Sequence, residues 1–310
     1  MDTNNMSGQR RVVVTGLGTV NSLGLDVRNT WDALKNGRSG VGPILSFDTA
    51  QYMTKFGAEV KGFDAATYVD RKHVRHMDRF TQFAVAASLQ AVESAGLKIE
   101  QVGAEEVGVI IGNSVCGLLS VCEQYQVLVQ NGPERVSPAL APTMTGDAAA
   151  VQVSLLLGVK GVNYSPSSAC ASGSDAIGQA YELIRQGYAK AVIAGGTEAP
   201  VTPLVIAAFN AIRALSVKNE DPKTACRPFD LTRDGFVMGE GSAMMLLEDA
   251  ECAQDRGAPI LAELVAYGAS SDAFHLIQPA PDGEGATRAL KMAFKRSGIH
   301  PDEIDYIHAH

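Results

Sequence analysis

Short apolar runs in this chain alternate with stretches whose apolar side chains recur at helical spacing. Arg11-Val12-Val13-Val14-Thr15-Gly16 reads as a first strand, and Trp31 and Leu34 belong to a short helix after it. A longer helix starts at Asp78, an N-cap residue, carries Phe80, Phe83, Ala84, Ala87 and Ala91 on one face, and stops at Gly96. Strands follow at Val107-Gly108-Val109-Ile110-Ile111, Gly161-Val162-Asn163-Tyr164, Ala191-Val192-Ile193-Ala194 and Ala243-Met244-Met245-Leu246-Leu247. Between the second and third of these, Ile177, Ala180, Tyr181, Ile184 and Tyr188 make the apolar face of a helix. Asp175, Gln179, Glu182 and Arg185 fall on its other side. This alternation predicts an α/β fold with largely parallel, buried strands. Gly195-Gly196 and Gly239-Glu240-Gly241 read as tight turns, and neither fits a nucleotide-binding glycine pattern.

The C-terminal end repeats an earlier order. Leu261-Ala262-Glu263-Leu264-Val265 is a strand, and a helix with Ala286, Ala289, Leu290, Ala293 and Phe294 on one face then stops at Gly298. An acidic turn, Pro301-Asp302-Glu303, leads into a strand over Ile304-Asp305-Tyr306-Ile307. Phe80 to Gly96, Glu105-Glu106 and Val107 to Ile111 run in the same sequence of helix, glycine stop, acidic turn and strand. A duplicated α/β unit explains both. The expected organisation is a disordered tail at 1–9, a first half over 10–255, and the start of a second half over 256–310.

With 310 residues, 46% hydrophobic and 19% charged, the chain can bury one sizeable core or two related ones. Met1 to Gln9 is polar and lacks the apolar stretch of a secretory signal, and no segment approaches the ~20 apolar residues of a membrane span. The cysteines (Cys116, Cys122, Cys170, Cys226, Cys252) are odd in number and contain no CxxC pair. That pattern speaks against a disulfide framework or a zinc site and for a reducing, cytoplasmic setting. A net charge of −8 argues against nonspecific nucleic-acid binding.

Cys170 is the candidate nucleophile. It lies in Ser167-Ser168-Ala169-Cys170-Ala171-Ser172-Gly173, at or just before a helix start, where unpaired N–H groups and the macrodipole stabilise a thiolate. Its pKa is expected below the free value of about 8.5, and its small neighbours let a carbonyl approach. On position alone, a buried structural cysteine is the competing reading.

Taken in order, several segments are similar to the β-ketoacyl-acyl-carrier-protein synthases, the condensing enzymes of the thiolase superfamily, and most of all to the elongating type. They are Arg11-Val12-Val13-Val14-Thr15-Gly16-Leu17-Gly18, Ser168-Ala169-Cys170-Ala171-Ser172-Gly173, and Ala194-Gly195-Gly196-Thr197-Glu198. Arg213-Ala214-Leu215-Ser216, Arg227-Pro228-Phe229-Asp230, Arg233-Asp234-Gly235-Phe236-Val237-Met238-Gly239-Glu240-Gly241, Ser270-Ser271-Asp272-Ala273 and Ala309-His310 continue the series. The resemblance implies a five-layered α-β-α-β-α fold built from two halves, the second incomplete within these residues. It implies a homodimer in which the strand Gly161 to Ser165 pairs with its equivalent. It also implies decarboxylative Claisen condensation with malonyl-acyl-carrier protein, using no metal or organic cofactor.

By the same resemblance, Cys170 accepts the acyl group, its backbone N–H serves as an oxyanion donor, and His310 is the first of two histidines that stabilise the enolate. Val115 and Phe209 match acyl-tunnel positions, although ordinary core packing would equally suit their residue types. Lys72, Arg75 and Arg213 match basic positions that dock the acidic carrier protein, and a solvated surface is the other reading of Lys72 and Arg75. His275 matches a residue at the entrance. The chain departs from the family at His308, where Asn is usual, and at His76, where Lys is frequent.

Other members of the superfamily share parts of this pattern. Chain-length-factor subunits replace the nucleophilic cysteine, so Cys170 argues against a non-catalytic partner subunit. Thiolases and ketosynthase III relatives diverge at Arg213-Ala214-Leu215-Ser216 and Arg233-Asp234-Gly235-Phe236. A modular polyketide ketosynthase fits the Cys170 segment alone. The resemblance also implies that the second histidine and a glycine-rich oxyanion loop lie beyond position 310. On that expectation these 310 residues alone would show at most slow thiol acylation.

Overall fold

The computed structural model describes residues 10–310; the tail expected at 1–9 lies outside the described residues. Six strands form one mixed sheet: β1 (Val12–Asn21), β4 (Val107–Gly112), β5 (Asn163–Tyr164), β6 (Ala191–Glu198), β7 (Gly241–Asp249) and β8 (Ala262–Leu264), in the order β5-β4-β6-β7-β1-β8. β2 (Gly42–Pro43) and β3 (Phe56–Gly57) make a small antiparallel ribbon beside it. Helices α1 (Val27–Lys35), α2 (Arg71–Val74), α3 (Arg79–Ala95), α4 (Ile99–Val102), α5 (Leu118–Asn131), α6 (Leu140–Thr143) and α7 (Ala148–Leu157) come before the Cys170 segment. After it come α8 (Ser172–Arg185), α9 (Pro203–Ala211), α10 (Ala250–Asp255) and α11 (Glu284–Ser297).

The sheet is less parallel than expected. β4 pairs in parallel with β5 and β6, but β7 runs antiparallel to both β6 and β1, and β8 antiparallel to β1. A continuous apolar run such as Met244-Met245-Leu246-Leu247 reports cover on both faces, not strand direction. Alternate side chains divide between the faces. Val109, Ile111, Ile193, Met244 and Leu246 pack with Phe80, Phe83, Ala84, Ala87 and Ala91 of α3 and with Ala149 and Val153 of α7. Ile110, Val192, Ala194 and Leu247 pack on the other face with Ala176, Ala180, Tyr181 and Ile184 of α8.

Asp78 caps α3, its side chain accepting from the Phe80 N–H, and Gly96 ends that helix at φ 60°. Both acidic turns are single 3₁₀ turns, Ala104–Glu106 and Pro301–Glu303. The helix before the second also ends on a left-handed glycine, Gly298 at φ 72°. The repeated order therefore extends to backbone geometry as far as the last strand. There it stops: Ile304 to Ile307 is irregular and exposed, because no neighbouring strand meets its N–H and C=O groups.

Two further expectations are corrected. Gly195-Gly196 is not a turn but part of β6, paired on both sides to β4 and β7. A Cβ on Gly195 would sit 2.0 Å from the Ala243 carbonyl oxygen, so close backbone approach is what requires glycine there. Tyr188 lies past the end of α8 and is 69% exposed, so it does not belong to that helix's apolar face. Large apolar side chains stand exposed at Phe229, Leu231, Phe274, Leu276, Ile277, Tyr306 and Ile307.

Candidate active site

Cys170 is an exposed, free thiol on a tight turn that feeds α8. The residue before it, Ala169, has φ 53°, a left-handed conformation that costs a non-glycine residue on the order of 1–3 kcal/mol. Such strain persists where surrounding bonds over-determine it. The Ser172 hydroxyl accepts from the Ser168 N–H at 2.9 Å and donates to the Ala169 carbonyl at 2.7 Å. The N–H of Ala171 bonds to the Ser168 carbonyl and that of Ser172 to the Ala169 carbonyl, each at 3.1 Å. Ser168 and Cys170 face one another as a short bridge. No side chain caps α8, whose N-cap is Ala171. Its first turn is held down instead by contact with glycine backbone. A Cβ on Gly112 would lie 2.0 Å from the Ser172 carbonyl oxygen, and one on Gly173 3.3 Å from Gly196. The helix start thus rests directly on the C-terminal ends of β4 and β6.

Val115 arrives at the same end of the sheet, in the loop after β4. Its N–H and that of Ser114 both donate to one oxygen of Glu198, at 2.9 and 2.7 Å. Glu198 closes β6, and its other oxygen, Oε1, is buried without a hydrogen-bond partner. Burial pushes this carboxyl above the ordinary glutamate range, against the opposing pull of the backbone N–H groups. A carboxyl with a raised folded pKa adds stability below its unfolded pKa, and that stability fades as pH climbs through the folded value. Glu198→Gln keeps an acceptor for both N–H groups without a titrating proton. It should therefore flatten the loss of stability that the parent chain shows as pH rises above the usual glutamate pKa. Thermal melting across pH would show this, and an unchanged profile would count against the assignment.

Phe209 lies on α9, half-buried, edge to face with Phe236 at 5.6 Å. It packs on a small core of Ile44, Val201, Val205, Ile206, Leu215 and Met238, which Leu118 also joins just after the Val115 loop. Lys72 is on α2 and Arg75 directly follows it; both are exposed. Arg213 is exposed beyond α9, at φ 55°. His275 accepts the N–H groups of Ile277 and Gln278 on Nδ1, both at 3.1 Å, so the imidazole serves to fold its own loop. His308 and His310 lie in the exposed, irregular stretch after Ile304. Among the described residues no group of three or more His, Cys, Asp and Glu is placed to hold a metal ion. No helix among them is long and apolar enough to cross a membrane.

Sequence reasoning missed Glu198, Asp175 and Tyr267. Glu198 carried a signal, an acidic residue closing an apolar strand inside Ala194-Gly195-Gly196-Thr197-Glu198. Asp175 looked like one more polar position on a helix, and nothing in the sequence linked it to Tyr267.

The family model for the beta-ketoacyl synthase N-terminal domain matches residues 9–253, and the C-terminal domain model matches residues 261–310. A 3-oxoacyl-[acyl-carrier-protein] synthase 2 of Synechocystis is 49% identical over 97% of this chain and 73% of its own length. The Staphylococcus aureus protein of that name is 45% identical over 98% of this chain and 73% of its own length. Among solved structures, a beta-ketoacyl synthase from Burkholderia phymatum superposes with a TM-score of 0.87 at 36% identity, covering 96% of this chain and 72% of that one. The ishigamide ketosynthase/chain length factor does so with a TM-score of 0.88 at 31% identity, with the same coverage. The fold is accordingly the thiolase-like ketosynthase fold, and the chain belongs to the beta-ketoacyl synthase family.

Proposed function

We propose that the reaction these residues serve is decarboxylative condensation of an enzyme-bound acyl group with malonyl-acyl-carrier protein, in fatty acid elongation; the 310 residues alone are expected to reach only slow acylation of Cys170. The observation that carries this reading is the strained turn that presents the Cys170 thiol at an uncapped helix start. The Cys170 thiolate attacks the thioester carbonyl, forming a new S–C bond while the carrier's thiolate leaves and takes up a proton. The malonyl thioester then loses carbon dioxide, and its α-carbon attacks the acyl-cysteine carbonyl. That step releases the Cys170 thiolate and a β-ketoacyl thioester on the carrier. The Cys170 N–H at the start of α8 stabilises the oxyanion, and His310 stabilises the enolate formed on decarboxylation. Val115 and Phe209 line the acyl site; support comes from the Val115 loop ending beside α8 and from the aromatic pair at Phe209. Incubating the chain with an acyl-carrier thioester and mapping the adduct by mass spectrometry tests the reading. An adduct on Cys116 or Cys226 in place of Cys170 would overturn it.

The partner is acyl carrier protein. Relatives bear it in their names, and one neighbour at a TM-score of 0.87 and 32% identity is a type II polyketide ketosynthase in complex with its acyl-carrier protein. Lys72, Arg75 and Arg213 form the docking patch, exposed cations on a chain of net charge −8. Reversing all three to Glu should raise KM for the carrier about tenfold or more and steepen with falling salt, leaving turnover at saturation little changed. A salt-independent fall in kcat alone would remove them from the docking surface. The cytoplasm is the fitting compartment for a chain whose cysteines are all free thiols.

The homodimer forms through β5. This two-residue strand stands at the sheet edge with one side unpaired, the position from which a second copy continues a sheet. Sedimentation at micromolar concentration should give a dimer, and a monomer would refute the pairing. The two halves divide near residue 255; support comes from the N-terminal family model ending at residue 253 and the C-terminal one beginning at residue 261.

A further inference from the structure

We propose that Asp175 is a positioning residue for Cys170, acting through Ser168 and held in place by Tyr267. The inference rests on the reading of Cys170 as the acylated nucleophile.

Asp175 sits in the first turn of α8 and its carboxylate takes two O–H donors. Oδ2 accepts from the Ser168 hydroxyl, and Oδ1 accepts from the Tyr267 hydroxyl at 2.6 Å. Ser168 is the near end of the turn that crosses Ala169 at φ 53° and delivers Cys170. Ser172 braces that turn from inside; Asp175 ties its outer end to the helix body. Without the second tie, the turn keeps its inner bonds through Ser172 and Ala171 but loses the one that fixes the Ser168 side chain to the helix body.

Tyr267 makes the tie rigid. It comes from the stretch after β8, on the far side of α8 from the sheet, and its carbonyl accepts from Arg296 of α11 at 3.0 Å. Arg296 is paired in turn with Glu182 of α8 at 2.6 Å. The Tyr267 ring lies flat on the helix at Gly178, where a Cβ would fall 2.2 Å from the ring. A glycine in the middle of a helix is normally a cost, and here it makes the seat for that ring. Burial and the nearby Asp175 carboxylate push the Tyr267 hydroxyl up to about 12, so it remains a donor through the neutral range. The chain thereby couples the start of its C-terminal region to the nucleophile turn through three side chains.

The decisive comparison separates acyl transfer, which needs the thiol aligned with its oxyanion donor, from alkylation, which needs only the thiol. In Asp175→Ala and Ser168→Ala, kcat/KM for acyl transfer from the carrier thioester to Cys170 should fall about 10- to 100-fold, the usual effect of a misplaced reacting group. Iodoacetamide alkylation of Cys170, followed by peptide mass spectrometry, should change far less. Asp175→Asn should restore most of the acyl transfer, because a carboxamide can accept from Tyr267 and donate to Ser168. Amide hydrogen exchange across 168–172 should quicken in Asp175→Ala, Tyr267→Phe and Gly178→Ala, with Asp175→Asn close to the parent. Parent-like acyl transfer and exchange in Asp175→Ala would overturn the proposal, as would an Asn variant impaired as severely as the Ala variant. A parent chain that is never acylated on Cys170 would instead refute the functional reading, while the exchange data would still decide whether Asp175 anchors the turn.

Discussion

Cys170→Ala should abolish acyl-enzyme formation, by about 10⁴-fold or more, on the scale recorded when a catalytic nucleophile is deleted. Fold stability should hardly change, because the thiol is exposed and its removal leaves no cavity. The discrimination among cysteines also has a physical basis. Burial pushes the thiols of Cys116, Cys122 and Cys252 above their ordinary value, with neighbouring carboxylates adding to the effect. Those three are therefore poorly populated as thiolates near neutral pH. Cys226 is exposed like Cys170, but it lies in the irregular segment before Arg227, not at a helix start. Carrier-dependent acylation followed by intact-mass measurement checks the prediction. Residual acylation of the Ala variant at the parent rate would place the chemistry on another residue.

Gly112→Ala should damage stability and activity together. Glycine here is demanded by contact, since its φ is not in the left-handed region. The new Cβ would stand 2.0 Å from the Ser172 carbonyl oxygen and 2.2 Å from its carbon, and both belong to backbone that cannot swing aside. Either β4 or the first turn of α8 must move. Overpacking of this kind costs about 1–3 kcal/mol, occasionally more. Because Ser172 also braces the Ala169 turn, the same displacement should take the Cys170 thiol out of line with its own N–H and lower acyl transfer. Denaturant unfolding and acylation kinetics on the same sample measure both. A destabilised variant with undiminished acylation would show that the helix start and the thiol are not mechanically coupled.

Much of the architecture could be read from the order of residues alone. Helix α3 announced itself through its Asp78 cap, its apolar face and its Gly96 stop, because these are local matters of hydrogen bonding and periodicity. The strands at Val107 and Ala191 were equally plain, since burial on both faces demands unbroken apolar runs. The place of Cys170 just ahead of α8 was also legible, as was the membership implied by many ordered segments. Strand direction was not, and neither was the fate of Ile304 to Ile307. An apolar run specifies what a strand must hide but not which neighbour it will find or which way that neighbour points.

The site divides along the same line. Residue identity pointed to Cys170, because only a thiol at a helix start combines nucleophilicity with free N–H donors. Only the tertiary structure brought Glu198 under the Val115 loop, seated Tyr267 on Gly178, and pressed Ser172 against Gly112. Those contacts join positions far apart in the chain, and they depend on side-chain reach and backbone clearance, quantities that no local pattern encodes. The sequence by itself determined most of the elements, the candidate nucleophile and the family. How the turn that carries the nucleophile is held was decided by packing across the whole fold, because strain at one residue is sustained only by bonds from its neighbours in space.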